Sequence, residues 1–216
     1  MKCIVTAGPT YESLDDVRRL TNFSTGRLGS ELAAFLIERG HEVTLLLGEQ
    51  ATYRNEHQPG EIQTFTSTEN LREKLQALAV GDAQAVFHAA AVSDYKFGRV
   101  WVRSPGGEMV QIKSGKISTR EGALLAELVP TPKIIAELRE WFPNARLVGW
   151  KFEVEGNRAE VIRLATNQIM ECKTDRAVAN GRAYGDGFGL VAADDSHVHL
   201  PDKPALFSAL EKFIRC

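Results

Sequence analysis

Cysteine is scarce in this chain. The three residues Cys3, Cys172 and Cys216 are odd in number and far apart. They offer no metal-ligand spacing and argue for free thiols in a reducing compartment over a disulfide framework. Long apolar runs are also lacking: none approaches the roughly 20 residues that span a bilayer, and the N-terminus has no apolar signal region. Charge of one sign is not in excess. The formal net charge of -2 gives no general attraction to nucleic acid or to an anionic membrane. Internal repeats and low-complexity tracts are absent. With 44% hydrophobic and 25% charged residues in 216 positions, the composition is that of a cytoplasmic globular protein. This length suits one domain over residues 1–216 with a substantial core. The five histidines show no ligand spacing, so no metal site built from side chains is expected.

What is present is an alternation of strands and helices. Residues 2–7 read as a buried strand, and Leu28, Leu32, Ala33, Phe35 and Leu36 then recur at helical spacing up to Gly40. Residues 41–48 read as a second buried strand, which makes a β-loop-α-β unit with parallel strands and a right-handed crossover. Further on, 62–65 reads as a strand, 69–79 as a helix and 85–90 as a central strand. Residues 100–103 and 109–113 flank Ser104-Pro105-Gly106-Gly107, a two-stranded flap within an excursion over about 96–118. A helix is expected over 132–141 with proline in its first turn, a strand over 145–150, a helix over 157–172 and a strand over 176–179. Residues 188–193 and 198–200 read as an antiparallel pair, before a closing helix from about Pro204. The expected class is α/β: a Rossmann-like three-layer sandwich, mostly parallel, with antiparallel hairpin and flap additions.

In open α/β sheets the ligand lies outside the carboxyl ends of the strands. Three polar segments fall there: the loop after the first strand, His88 to Tyr95, and Asn180-Gly181. None is G-x-G-x-x-G, and Glu49 is the only acid placed to grip a ribose after the second strand. The opening loop is too long for a dinucleotide turn. It carries Gly8, Arg18, Asn22, Ser24, Thr25, Gly26 and Arg27, in which Ser24-Thr25-Gly26 ahead of a helix suits phosphate oxygens. His88 reads as a strand residue facing the covering helices.

The residues point further. Thr6-Ala7-Gly8-Pro9-Thr10, Val17-Arg18 and Asn22-Phe23-Ser24-Thr25-Gly26-Arg27-Leu28-Gly29 resemble the signature of phosphopantothenoylcysteine synthetase. Ala89-Ala90-Ala91-Val92-Ser93-Asp94-Tyr95 does so too, and more loosely Gly115-Lys116-Ile117, Pro132-Lys133-Ile134-Ile135, Gly149-Trp150-Lys151-Phe152-Glu153 and Val178-Ala179-Asn180. The resemblance implies a ligase of coenzyme A biosynthesis. Such an enzyme activates 4′-phosphopantothenate with CTP or ATP and joins the acyl group to the cysteine amine. It implies roles for Asn22 and Arg18 at the acyl intermediate and for Lys116 at the α-phosphate. Gly8, Ser24, Thr25, Gly26 and Arg27 would bind substrate or phosphate. Ala89, Ala90, Asp94, Pro132, Lys133, Ile134, Ile135 and Trp150 would form the nucleotide pocket. It also implies Mg2+ held mainly by phosphates and water, no flavin, and a homodimer in which the flap covers the neighbouring site.

The chain departs from the bacterial CTP-using pattern, which has two lysines on the helix before the last parallel strand. Gln168 and Cys172 stand there, and the Lys-Ile-Lys-Lys run is Lys116-Ile117-Ser118-Thr119. Details such as Lys151-Phe152-Glu153 are similar instead to the ATP-using eukaryotic branch, so the nucleotide stays open between CTP and ATP. Two other classes stand beside the ligase: an NADP-dependent Rossmann-type reductase, and a catalytically altered nucleotide-binding paralogue.

Overall fold

The first strand, β1 (Lys2–Ala7), is buried at every position after Lys2, as a strand covered on both faces must be. The structure, a computed structural model, describes residues 1–53, 60–112, 117–118 and 122–215. After β1 comes a small hairpin, β2 (Tyr11–Ser13) and β3 (Arg19–Thr21), then α1 (Arg27–Glu38), β4 (Glu42–Gly48), β5 (Glu61–Phe65), α2 (Thr68–Leu78) and β6 (Ala85–His88). The excursion is β7 (Tyr95–Arg103), β8 (Met109–Ile112) and β9 (Ala123–Pro130). The chain closes with α3 (Ile134–Trp141), β10 (Arg146–Phe152), α4 (Arg158–Cys172), β11 (Arg176–Asn180), β12 (Phe188–Val191), β13 (His197–Leu200) and α5 (Lys203–Arg215).

Eight of these strands form one sheet in the order β13-β12-β11-β10-β6-β1-β4-β5. Six neighbours, from β11 to β5, run parallel, while β12 and β13 join antiparallel. The chain winds outward from β1 to β4 and β5, then returns to place β6 on the other side of β1. The order therefore reverses between β1 and β6. Helices α1 and α5 cover one face, over a core that includes Val5, Leu36, Phe87, Val148 and Leu206. Helices α2, α3 and α4 cover the other, over Ile4, Leu46, Phe65, Leu138 and Leu147 beneath α2 and α3 and Val161 and Ala177 beneath α4. The expected α/β sandwich is the observed one.

Three features differ from the sequence reading. The excursion has a third strand, β9, whose Ala-Leu-Leu-Ala-Glu-Leu composition carries no strand alternation and which is held by pairing to β7 from Tyr95 to Arg103. The hairpin β2–β3 is three residues per strand, too short to leave a periodic trace. Helix α3 starts at Ile134 with Lys133 as its N-cap residue, so Pro132 precedes the helix instead of sitting in its first turn.

Helix α1 approaches β1 unusually closely. Its N-cap, Gly26, is left-handed with φ 79°, a conformation that costs an L-residue with a side chain. One turn later, a Cβ on Gly29 would lie 2.6 Å from the Ala7 Cβ and 3.0 Å from the Thr6 carbonyl oxygen. Gly29→Ala must push the helix off the sheet and should cost roughly 1–3 kcal/mol. Urea denaturation checks this: an unchanged midpoint for Gly29→Ala would show that the contact is slack.

Candidate functional site

The reversal of strand order places the β1–β6 junction where an α/β sheet binds ligands. The two strands do not simply part there. Thr10 N–H donates to the Ala91 carbonyl at 3.1 Å and Ala91 N–H to the Gly8 carbonyl at 2.9 Å. Below them, Ala89 N–H reaches the Thr6 carbonyl (3.2 Å), and Ala90 N–H donates to Thr6 Oγ1 (3.0 Å). The next turn hangs from the same seam. Ser93 N–H donates to Thr10 Oγ1 at 2.8 Å, Thr131 Oγ1 to the Ser93 carbonyl at 2.5 Å, and Thr131 N–H to the Asp94 carbonyl at 3.0 Å. These bonds fix the chain that leads into α3.

Beside this turn lies a cavity of about 560 Å³, between the carboxyl ends of β6 and β10, the start of α3 and one flank of α4. It gathers Ala90, Asp94, Pro132, Lys133, Ile134, Ile135 and Trp150, seven of the residues expected in one pocket. Ala89 is tied to Thr6 and does not line it. The Asp94 carboxylate is exposed and has no partner among the described residues. A cavity of similar volume, about 550 Å³, lies between Arg139, Arg146 and Asp175 at the amino ends of β10 and β11. It is the wrong end of the sheet for a ligand site.

Asn22 joins the opening loop to this cavity. Its Nδ2 donates to the carbonyls of Ala91 (3.2 Å) and Val92 (3.0 Å), and Val92 lines the cavity. Ser24 is half-buried and Thr25 exposed ahead of Gly26; Thr25 Oγ1 accepts from Arg27 N–H at 3.3 Å, and α1 has no acid in its first turn. The first-turn N–H groups beyond Arg27 remain available to an anion. Arg27 lies along the helix, bonded to Glu31 at 2.6 Å and over the Tyr53 ring. Gly8, left-handed like Gly26, packs beneath this loop against Ala51.

Arg18 stands apart from the cavity. Its guanidinium holds Asp15 through Nε (3.0 Å) and Nη2 (2.5 Å), and Nη2 also donates to the Ile117 carbonyl at 2.8 Å. Asp15 also accepts from the backbone N–H of Val17, Arg18 and Ile117, and with the Arg18 charge these hold its carboxyl well below the usual carboxylate range. Arg18 thus pins the segment at Ile117, the residue after Lys116. Lys116 itself lies outside the described residues. Asp15 was missed by sequence reasoning, because nothing in a run of polar loop residues marks which one pairs with Arg18.

The departures on α4 separate cleanly. Gln168 lines the cavity together with Leu164, Asn167 and Glu171, whereas Cys172 is buried and its thiol pushed up by burial, an inert state. Lys173 does not substitute. It ends α4 in a left-handed turn (φ 54°) and lines the cavity at the opposite end of the strands. Trp150 reaches the cavity from β10 but also packs on the α1–α5 core.

His88 is the residue the sequence reading undervalued. It does face the covering helices, and it also lines the cavity. Its Nδ1 lies 3.0 Å from Thr6 Oγ1. Burial holds the ring neutral, with its pKa pushed down to about 4 from an ordinary 6.5. The unfolded chain therefore binds a proton that the folded chain refuses. Stability is full above pH 6.5 and falls as pH drops towards 4, by up to about 1.4 kcal/mol per unit. In His88→Asn this part of the pH dependence should vanish; denaturation midpoints at pH 4.5, 5.5 and 7 test it, and curves parallel to the parent would refute it.

Comparisons with known proteins cover the chain as a whole. Residues 1–212 match the family described as "DNA/pantothenate metabolism flavoprotein C-terminal domain". The chain belongs to this family. Curated members include the coenzyme A biosynthesis bifunctional protein CoaBC of Thermococcus kodakarensis, 35% identical over 85% of this chain, and that of Bacillus subtilis, 31% identical over 86%. The chain spans 42% of the length of each of these relatives. Among solved structures, the DNA/pantothenate metabolism flavoprotein from Streptococcus pneumoniae superposes with a TM-score of 0.87 at 28% identity, covering 100% of this chain and 98% of its own. The C-terminal domain of a CoaBC gives 0.74 at 25% identity, over 99% and 93%. The synthetase resemblance in the opening loop and in Ala89–Tyr95 thus leads to the family found by whole-chain comparison.

Proposed function

We propose that this chain carries the phosphopantothenate–cysteine ligase activity of coenzyme A biosynthesis. The observation that supports it best is Asn22, which ties the loop at the start of α1 to the rim of the cavity through the Ala91 and Val92 carbonyls. Two anion-favouring sites then flank one point, as joining a triphosphate to a carboxylate requires. In the activation step a carboxylate oxygen of 4′-phosphopantothenate attacks the α-phosphorus of CTP or ATP, and pyrophosphate leaves. In the second step the cysteine amine attacks the acyl carbon, loses a proton, and the nucleoside monophosphate departs. The Asn22 Oδ1, free of the two carbonyls, faces the acyl group; Asp94 and the start of α3 hold the nucleotide. Mg2+ would come with the phosphates, since the described residues contain no cluster able to hold a metal. The reductase alternative needs an acid for a ribose hydroxyl, and Glu49 is engaged by Tyr11 Oη at 3.0 Å.

Pyrophosphate release with 4′-phosphopantothenate, cysteine, Mg2+ and either nucleotide should be detected, and folded protein releasing none with both would end the proposal. In Asn22→Asp a carboxylate faces two carbonyls and the acyl group. Amide formation should fall by at least about tenfold while nucleotide–pyrophosphate exchange changes by less than about threefold; equal losses would assign Asn22 a structural task alone.

The ribbon of β7, β8 and β9 exposes Met109 and Leu125 on one face and Val110 and Leu128 on the other, apolar side chains that pairing with a second copy of the chain would cover. A homodimer is therefore part of the proposal. Leu125→Asp with Leu128→Asp should shift the protein to monomer in sedimentation equilibrium; a parent protein that is already monomeric at high concentration would count against it.

A further inference from the structure

Thr6, His88 and Gly149 sit side by side across the sheet, paired in register on β1, β6 and β10. The Thr6 hydroxyl already accepts from Ala90 N–H, so its own hydrogen goes to the one acceptor in reach, His88 Nδ1. In the tautomer that takes this hydrogen on Nδ1, the imidazole proton sits on Nε2. His88 is 6% exposed, and its Nε2 has no partner among the described residues; the surface it keeps opens on the cavity. Next in the row, Gly149 leaves space that the Gln168 amide occupies: a Cβ there would lie 2.8 Å from Gln168 Nε2. That nitrogen is buried and makes no hydrogen bond. Two unsatisfied N–H donors thus converge where the cavity meets the sheet. A buried donor without a partner is costly, so the site is built for a ligand that brings acceptors.

The surroundings name the class of ligand. Helix α3 starts at the same cavity, and its N-cap residue Lys133 supplies no side-chain cap, so the free N–H groups of the first turn favour an anion. A polyphosphate has acceptors only, whereas on cytosine the paired acceptors O2 and N3 have the N4 donor beside them, and on adenine N1 and N7 each adjoin the N6 donor. The lysines at the rim are partly neutralised, Lys133 by Glu171 at 3.7 Å and Lys151 by Glu153 at 2.9 Å. The innermost oxygens are left to neutral donors.

We propose that His88 Nε2–H and the Gln168 amide bind the phosphate chain of the nucleotide, with the first turn of α3, so that two neutral donors stand where lysines would be expected. The ligand's identity as a nucleoside triphosphate rests on the ligase reading; the anion site does not. Neutral donors give the site a characteristic consequence: its affinity for polyphosphate depends less on salt than that of a lysine-lined site.

Isothermal titration with sodium tripolyphosphate tests it, using the whole chain and no other substrate. The parent protein should bind, with His88→Leu and Gln168→Leu each weakening the affinity by about tenfold. His88→Gln, which returns an N–H to the Nε2 position, should stay within about twofold of the parent. Gln168→Lys should tighten binding and steepen its salt dependence. Gln168→Leu keeps the test decisive if His88→Leu does not fold. Three outcomes overturn the proposal: no tripolyphosphate binding by the parent at millimolar concentration, folded leucine variants that bind as tightly as the parent, or losses confined to cytidine and adenosine. Failure of the ligase reading looks different, since absent turnover with the tripolyphosphate pattern intact refutes that reading alone.

Discussion

The pairing of β1 and β6 beyond their formal ends is the constraint on which the site depends. In a doubly wound sheet these two strands diverge at the reversal of order and leave an open crevice. Here Gly8 to Thr10 stay bonded to Ala91, and Thr6 reaches Ala90 and His88 through one hydroxyl. The seam carries its neighbours with it. Ser93 hangs from Thr10, Thr131 from Ser93 and Asp94, and Asn22 from Ala91 and Val92. The chain entering α3 and the loop entering α1 are therefore positioned by the same few bonds. A shift at the seam moves both helix starts together.

That coupling explains why the cavity does not lie directly over β1. With the crevice stitched shut, the open volume moves one strand along, to the ends of β6 and β10, where Gly149 withholds a side chain. The start of α1 is left on the other side of the seam. Two helix starts then flank a bonded ridge with Asn22 upon it. For a reaction that joins two anions, as the ligase reading requires, this geometry offers each its own N–H groups on either side of a group that is polar and uncharged.

Much of this was legible in the sequence. The parallel strands declare themselves as short buried runs, because both of their faces are covered, and α1 declares itself through Leu32, Ala33 and Leu36. The cavity residues were legible as a motif set, since Ala90, Asp94, Pro132 to Ile135 and Trp150 come together from three separate segments. What escaped were facts about partners. Strand β9 has the composition of a helix and becomes a strand only because β7 offers an edge. Asp15 is one acid among several until Arg18 and Ile117 close on it. His88 has the same burial whether it faces a helix or a ligand, and only the Thr6 hydroxyl decides where its proton sits. Such choices depend on contacts across 82 residues of chain, which periodicity cannot report.

The departure on α4 from a lysine-bearing helix has a physical reading. A helix that supplies lysines to a phosphate site must present them from successive turns of one flank. On α4 the flank that meets the cavity carries Leu164, Gln168 and Glu171, and the following turn is spent on the buried Cys172 and the left-handed Lys173, which points the chain to the other end of the sheet. No small adjustment of the helix would bring Lys173 across. In the ligase reading, the positive charge that lets a carboxylate approach a triphosphate therefore comes from elsewhere: the two rim lysines, the starts of α1 and α3, and a divalent ion carried by the phosphates. The inner wall then has a different task. On the assignment proposed for His88 and Gln168 it orients the phosphate chain without neutralising it, and a fixed imidazole and a packed amide suit orientation better than two flexible ammonium groups.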